Sequence, residues 1–192
     1  MDSRILEQAL TLLERRLSQG KNSPLELVIF GGSALIATRL VIRTTKDLDI
    51  LALMDSNSNL IDPSPLPSYL ISEAKVVAQN LNLPEDWLNT GPADLFRMGL
   101  PEGFENRLIC HVIGPYLKVH FISRLDQIHF KLYASVDRGG YHIEDLLTLD
   151  PSEDELIIAG RWSRTHDVSD GYAMMLRDFL NQLGYKHAAS RV

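Results

Sequence analysis

The sequence predicts an α+β fold: a mixed β-sheet flanked by helices, with a helical C-terminal region. Three observations lead there. Short β-forming runs cluster in the first two-thirds of the chain, at 25–30, 46–53, 107–112 and 116–122. From residue 123 onward the apolar residues recur at helical spacing instead. Strands and helices therefore segregate rather than alternate as βαβ units. The expected division is a core over 1–122, including an N-terminal helix, and a helical region over 123–192 packed on it. With 192 residues, 45% hydrophobic and 23% charged, the chain can bury enough surface to fold without covalent staples.

The elements follow in order. Residues 3–19 place Ile5, Leu6, Ala9, Leu10, Leu13 and Leu17 three and four apart, and Gly20 stops that helix. The run 25–30 is a strand, closed by Gly31-Gly32. Residues 33–40 read as a helix that Ser33 can cap. KDLDILAL (46–53) alternates at its start and is a second strand. Residues 54–67 are rich in Ser, Asn, Asp and Pro and form a loop. A helix over 69–81 and a connection over 83–89 precede the Gly91-Pro92 turn. Strands 107–112 and 116–122, joined at Gly114-Pro115, make a hairpin. Helices are expected over 123–137, 142–149, 152–163 and 169–183.

Composition narrows the function classes. A single cysteine, Cys110, gives no internal disulfide and no cysteine-built zinc site, and in a strand it reads as an inert buried thiol. His111, His120 and His129 are too widely spaced for a short metal motif, and His129 reads as a surface or core-edge residue. Trp87 and Trp162 read as packing anchors without an aromatic cluster around them. The net charge of −6 argues against coating of nucleic acid by a broad cationic surface. No apolar run approaches a membrane span and no signal peptide opens the chain, so the expected location is cytoplasmic.

The segment that carries chemistry is GGSALIATRLVIRTTKDLDIL, 31–51. A strand ends in Gly-Gly-Ser, a helix follows, and the next strand carries Asp47 and Asp49. Side chains alternate along a strand, so both carboxylates face one side while Leu48 and Ile50 face the other. Adjacent like charges are costly unless a cation lies between them. Magnesium suits the position, because it takes oxygen ligands and grips substrate phosphates. The glycine turn lets backbone approach an anion, and the helix start behind it supplies free N–H groups. Arg39 and Arg43 flank this pocket and either steer an acidic substrate or neutralise the two aspartates. A phosphate cradle beside a metal-holding carboxylate pair is what phosphoryl or nucleotidyl transfer requires.

This segment resembles the signature of the DNA-polymerase-β-like nucleotidyltransferase superfamily. Phe30-Gly31-Gly32-Ser33 is followed, after the fourteen residues 33–46, by Asp47-Leu48-Asp49-Ile50. Arg43-Thr44-Thr45-Lys46 is similar to the R-x-T-x-D-x-D version in small bacterial nucleotidyltransferase-like proteins, which include relatives of the AbiEii toxins. A second stretch is similar to a later motif of that group: Lys131-Leu132-Tyr133-Ala134, Asp137-Arg138, then His142-Ile143-Glu144-Asp145-Leu146. LPEDWLN (83–89) also resembles a stretch in members of the group.

The resemblance implies a nucleotidyltransferase core, Mg²⁺ held by Asp47 and Asp49, and an NTP such as ATP held by Gly31, Gly32, Ser33 and Arg43. It implies that Lys131 contacts phosphates and that Asp145 helps bind or activate substrate. It also implies a nucleotide ligand and an acceptor hydroxyl on RNA (a tRNA 3′ end) or protein, with an antitoxin as a further partner in toxin-type relatives. Many members carry a third carboxylate on a later strand; the run 116–122 offers none, and parity puts Lys118 and His120 on one face, with His120 expected in that place. Three readings stay open: an NMP-transferring enzyme, a catalytically inactive nucleotide-binding or protein-interaction module, and an aminoglycoside-type small-molecule nucleotidyltransferase.

Overall fold

The structure is a computed structural model and describes residues 2–31 and 47–192. The expected helix over 33–40, and with it Gly32, Ser33, Arg39 and Arg43, lies outside the described residues. The chain divides into two compact units, Met1–Ser123 and Arg124–Val192.

The first unit is a mixed sheet with helices. Helix α1 (Ser3–Gln19) starts at Asp2, whose carboxylate accepts from the Ile5 N–H at 2.9 Å. Its buried stripe is the one the periodicity predicts: Leu6, Ala9, Leu10, Leu13 and Leu17. Strand β1 (Leu25–Phe30) is the centre of the sheet. It runs antiparallel to β2 (Leu48–Met54) and parallel to β6 (Leu117–Phe121), and Leu27, Val28 and Ile29 are fully buried. Strand β5 (Ile109–Gly114) pairs antiparallel with β6 as the expected hairpin. On the far edge of β2, the two-residue strands β3 (Leu60–Ile61) and β4 (Leu88–Asn89) pair with opposite ends of it. Helix α2 (Ser68–Leu81) packs against α1, and the Arg16 Nε–Glu73 Oε2 pair at 2.5 Å bridges the two.

Four expectations change here. The expected loop over 54–67 contains Leu60–Ile61, which pairs with β2. Residues 83–89 are more than a connection, because Leu88–Asn89 joins the sheet as a parallel strand. Between the Gly91-Pro92 turn and β5 the structure adds helix α3 (Ala93–Met98) and a 3₁₀ turn at Phe104–Arg107. Arg97 holds α3 to the preceding loop through a two-pronged contact with Asp62, at 2.7 and 3.0 Å. Cys110 is exposed rather than buried. It lies on β5, the outermost strand at that end of the sheet, where side chains meet solvent instead of a covering layer.

The second unit is helical: α4 (Arg124–Arg138), α5 (Tyr141–Thr148), α6 (Glu153–His166), α7 (Asp170–Gln182) and α8 (Lys186–Ala189). A capping box opens α6, with Ser152 and Glu155 exchanging hydrogen bonds. Glu155 also takes Arg124 Nη1 at 2.6 Å, which ties the start of α6 to the start of α4. Trp162 does sit in an aromatic cluster, against the expectation. Phe130, His129, Tyr133 and His166 present edges to it at centroid distances of 5.2, 5.7, 6.2 and 4.4 Å. These rings come from α4 and α6, so only helix packing assembles them. His129 is accordingly core, 2% exposed, with Nδ1 on the Leu125 carbonyl at 2.8 Å. Burial holds the His166 imidazole below its ordinary value and pushes the Tyr172 phenol up to about 12.

Candidate functional site

The site is built where β1 ends and β2 begins. Asp47 stands immediately before β2, and Asp49 is its second residue. Leu48 and Ile50 are fully buried while Asp47 and Asp49 are half-buried, which is the alternation of a strand with one face on the core. Asp49 pairs across with Phe30, the last residue of β1. Its carboxylate therefore reaches the turn that follows. Gly31 has φ +73°, and a Cβ placed on it would come within 2.9 Å of Asp49 Oδ2. Glycine is needed there twice: for its backbone conformation, and for the space the carboxylate occupies. A register shift between Val28 and Ile29 leaves Leu51 as an extra residue on β2. Such a bulge re-aims the side chains beyond it.

The residues fit a magnesium ion by their chemistry. The Asp49 carboxylate stands at the mouth of a glycine turn and Asp47 lies two residues before it; magnesium commonly binds one or two carboxylates and completes its shell with water and substrate phosphates. Among the described residues there is no ready cluster of three or more His, Cys, Asp or Glu side chains that would hold a metal by themselves. Gly31 is described and lies against Asp49; Gly32, Ser33 and Arg43 lie outside the described residues.

His120 sits on β6, and β1 separates β6 from β2. His120 Nε2 is 2.8 Å from Glu26 Oε2, and Lys118 Nζ donates to Glu26 Oε1 at 2.6 Å. Burial pushes the Glu26 carboxyl up, but hydrogen bonds from Lys118 and His120 and their charges leave it below its ordinary range; the same carboxylate raises Lys118. On the side of β2 away from Phe30, the register neighbour of Asp49 is Asn89. Strand β4 runs parallel to β2 with Leu48 opposite Leu88 and Asp49 opposite Asn89. Its place is set by Trp87, which is fully buried, donates from Nε1 to the Ala74 carbonyl at 2.9 Å, and receives the Leu48 N–H on its own carbonyl at 2.5 Å. Sequence reasoning missed Asn89 because a two-residue strand has no periodicity to detect. The signal available was the resemblance of LPEDWLN itself.

Lys131 and Asp145, from the second motif, meet in the second unit. Lys131 Nζ donates to Asp145 Oδ2 at 2.7 Å, with side chains 4% and 6% exposed. The ammonium also lies 5.6 Å from the centre of the Tyr141 ring. The turn Gly139-Gly140, both at positive φ, reverses α4 into α5 and brings the two residues together. Removing one partner of a buried ion pair is more costly than replacing both.

A family model described as a nucleotidyltransferase of unknown function (DUF6036) matches residues 8–151 of the chain. No curated protein and no solved structure matches it. Among the described residues, no helix is long and apolar enough to cross a membrane.

Proposed function

The chain belongs to this nucleotidyltransferase family, and from that premise we propose that it is a metal-dependent enzyme that moves an NMP from an NTP, such as ATP, to a hydroxyl of RNA or protein. The observation that carries the proposal is the placement of Asp49 Oδ2 beside Gly31, with Asp47 two residues earlier in the chain. Magnesium, when bound, supplies charge neutralisation at the reacting phosphates. The two aspartates hold that charge in place, and the glycine turn lets the triphosphate approach the backbone. The acceptor oxygen attacks the α-phosphorus, the bond from that phosphorus to the bridging oxygen breaks, and pyrophosphate leaves. The hydroxyl proton passes to solvent or a nearby base. The chain's contribution is positioning and electrostatics, as phosphoryl chemistry demands. A toxin-type role with an antitoxin partner extends the same reading, and it rests on the resemblance of 43–49 to the AbiEii relatives.

A non-catalytic nucleotide-binding module is the second reading. It is favoured by the amide of Asn89 standing beside Asp49 where another carboxylate would strengthen metal binding. Incubation with each α-labelled NTP, Mg²⁺, and cellular RNA or protein separates the two. Label transfer that disappears in an Asp47→Ala/Asp49→Ala double variant supports the enzyme. Binding of NTP with no transfer to any acceptor supports the module.

A further inference from the structure

We propose that Asn89 is a phosphate-binding residue of this site, its side-chain amide donating to an oxygen of the nucleotide's triphosphate; this rests on the nucleotide-binding reading above. Neighbouring residues in register on parallel strands project from the same face, about 4.8 Å apart. Asp49 and Asn89 are such a pair. Asn89 therefore presents its amide beside the carboxylate, and Trp87, two residues earlier, fixes the strand that does so.

The orientation of the amide follows from its one hydrogen bond among the described residues. The Gly91 backbone N–H donates to Asn89 Oδ1 at 2.7 Å. A backbone N–H needs an acceptor, so the oxygen must be the atom on that side. The NH₂ group is then turned away from the Gly91 loop, and no acceptor among the described residues engages it. This arrangement suits an anion. The oxygen faces Gly91 and accepts its N–H, while the two N–H donors remain on the other side of the amide, beside Asp49. An anion drawn to a metal on Asp47 and Asp49 would meet those donors. A neutral donor adds no charge to repel it, which a carboxylate at that position would do.

Isosteric replacement gives the sharpest test. Asn89→Asp keeps an oxygen for the Gly91 N–H and removes the donors; Asn89→Ala removes both. Wild type, both variants and Asp47→Ala/Asp49→Ala are titrated with ATP, GTP, CTP, UTP and inorganic tripolyphosphate in Mg²⁺, and with Mn²⁺ alone, with unfolding in urea measured alongside. The expected result is nucleotide and tripolyphosphate affinity reduced about tenfold or more in Asn89→Ala, as for loss of a hydrogen bond to a charged group. Asn89→Asp should lose more affinity for both, yet bind Mn²⁺ more tightly than wild type. Wild-type nucleotide affinity in both folded variants overturns the role of Asn89 while leaving the nucleotide site standing. A loss confined to nucleotides, with tripolyphosphate unaffected, overturns the phosphate assignment. Absence of any Mg²⁺-dependent nucleotide binding by wild type overturns this proposal together with the reading it rests on.

Discussion

The Oδ2 atom of Asp49 occupies the space beside Gly31 that a side chain at position 31 would need, since a Cβ there would lie 2.9 Å from it. Strand pairing makes this unavoidable: Asp49 is opposite Phe30, and the chain turns at the next residue with φ +73°. The turn and the carboxylate are therefore one structural unit, and a change in either displaces the other.

Gly31→Ala tests that unit. The left-handed backbone conformation costs a non-glycine residue about 1–2 kcal/mol, and the carboxylate must rotate away from the new methyl. Urea denaturation should show a loss of about that size. Mg²⁺-dependent nucleotide binding should fall by more than the stability loss explains, because the displaced group is a proposed metal ligand. Unchanged nucleotide affinity in the folded variant would detach Gly31 from the site.

The buried Lys131–Asp145 pair separates structure from function in the second unit. Lys131→Met alone takes the ammonium away from a carboxylate that is 6% exposed and should destabilise by about 3–5 kcal/mol. The double variant Lys131→Met/Asp145→Leu removes both charges and should recover most of that loss. If Lys131 contacts phosphate during transfer, this stable double variant is inactive. Full activity in it assigns the pair to folding alone.

Glu26 gives a pH signature. Its carboxyl lies below the ordinary 4.5 in the folded protein, burial being outweighed by Lys118 and His120. A depressed folded pKa stabilises above the unfolded value, and that contribution is lost as pH falls through the folded one. Thermal midpoints should therefore drop below pH 4.5, and Glu26→Gln should lack this component of the drop. Parallel profiles for the two proteins over that window would show that the Glu26–Lys118–His120 contacts contribute nothing to stability.

Trp87→Phe examines how β4 is held. The variant keeps most of the buried ring and loses the indole hydrogen bond to the Ala74 carbonyl, so stability should fall by roughly 1–2 kcal/mol. Asn89 should then sit less firmly beside Asp49, and nucleotide affinity should drop several-fold. Hydrogen exchange at Leu48, whose N–H bonds the Trp87 carbonyl, should accelerate. Protection at Leu48 equal to wild type would place the anchor elsewhere.

The α+β class, the central strand 25–30, the hairpin and the order of the C-terminal helices were legible in the chain, because each is written in local periodicity and turn residues. Helix α1 begins and ends where Asp2 and Gly20 put it. The expectation that Asp47 and Asp49 share a face rests on local pattern in the same way, since alternation along one strand needs no knowledge of the neighbours. What stands beside them was not. Leu88–Asn89 is too short to carry a pattern, and it becomes a strand only because buried Trp87 presses it onto β2. The aromatic cluster around Trp162 and the exposure of Cys110 are likewise decided by which elements meet, or fail to meet. Local pattern fixes which way a side chain points; long-range packing fixes what it points at.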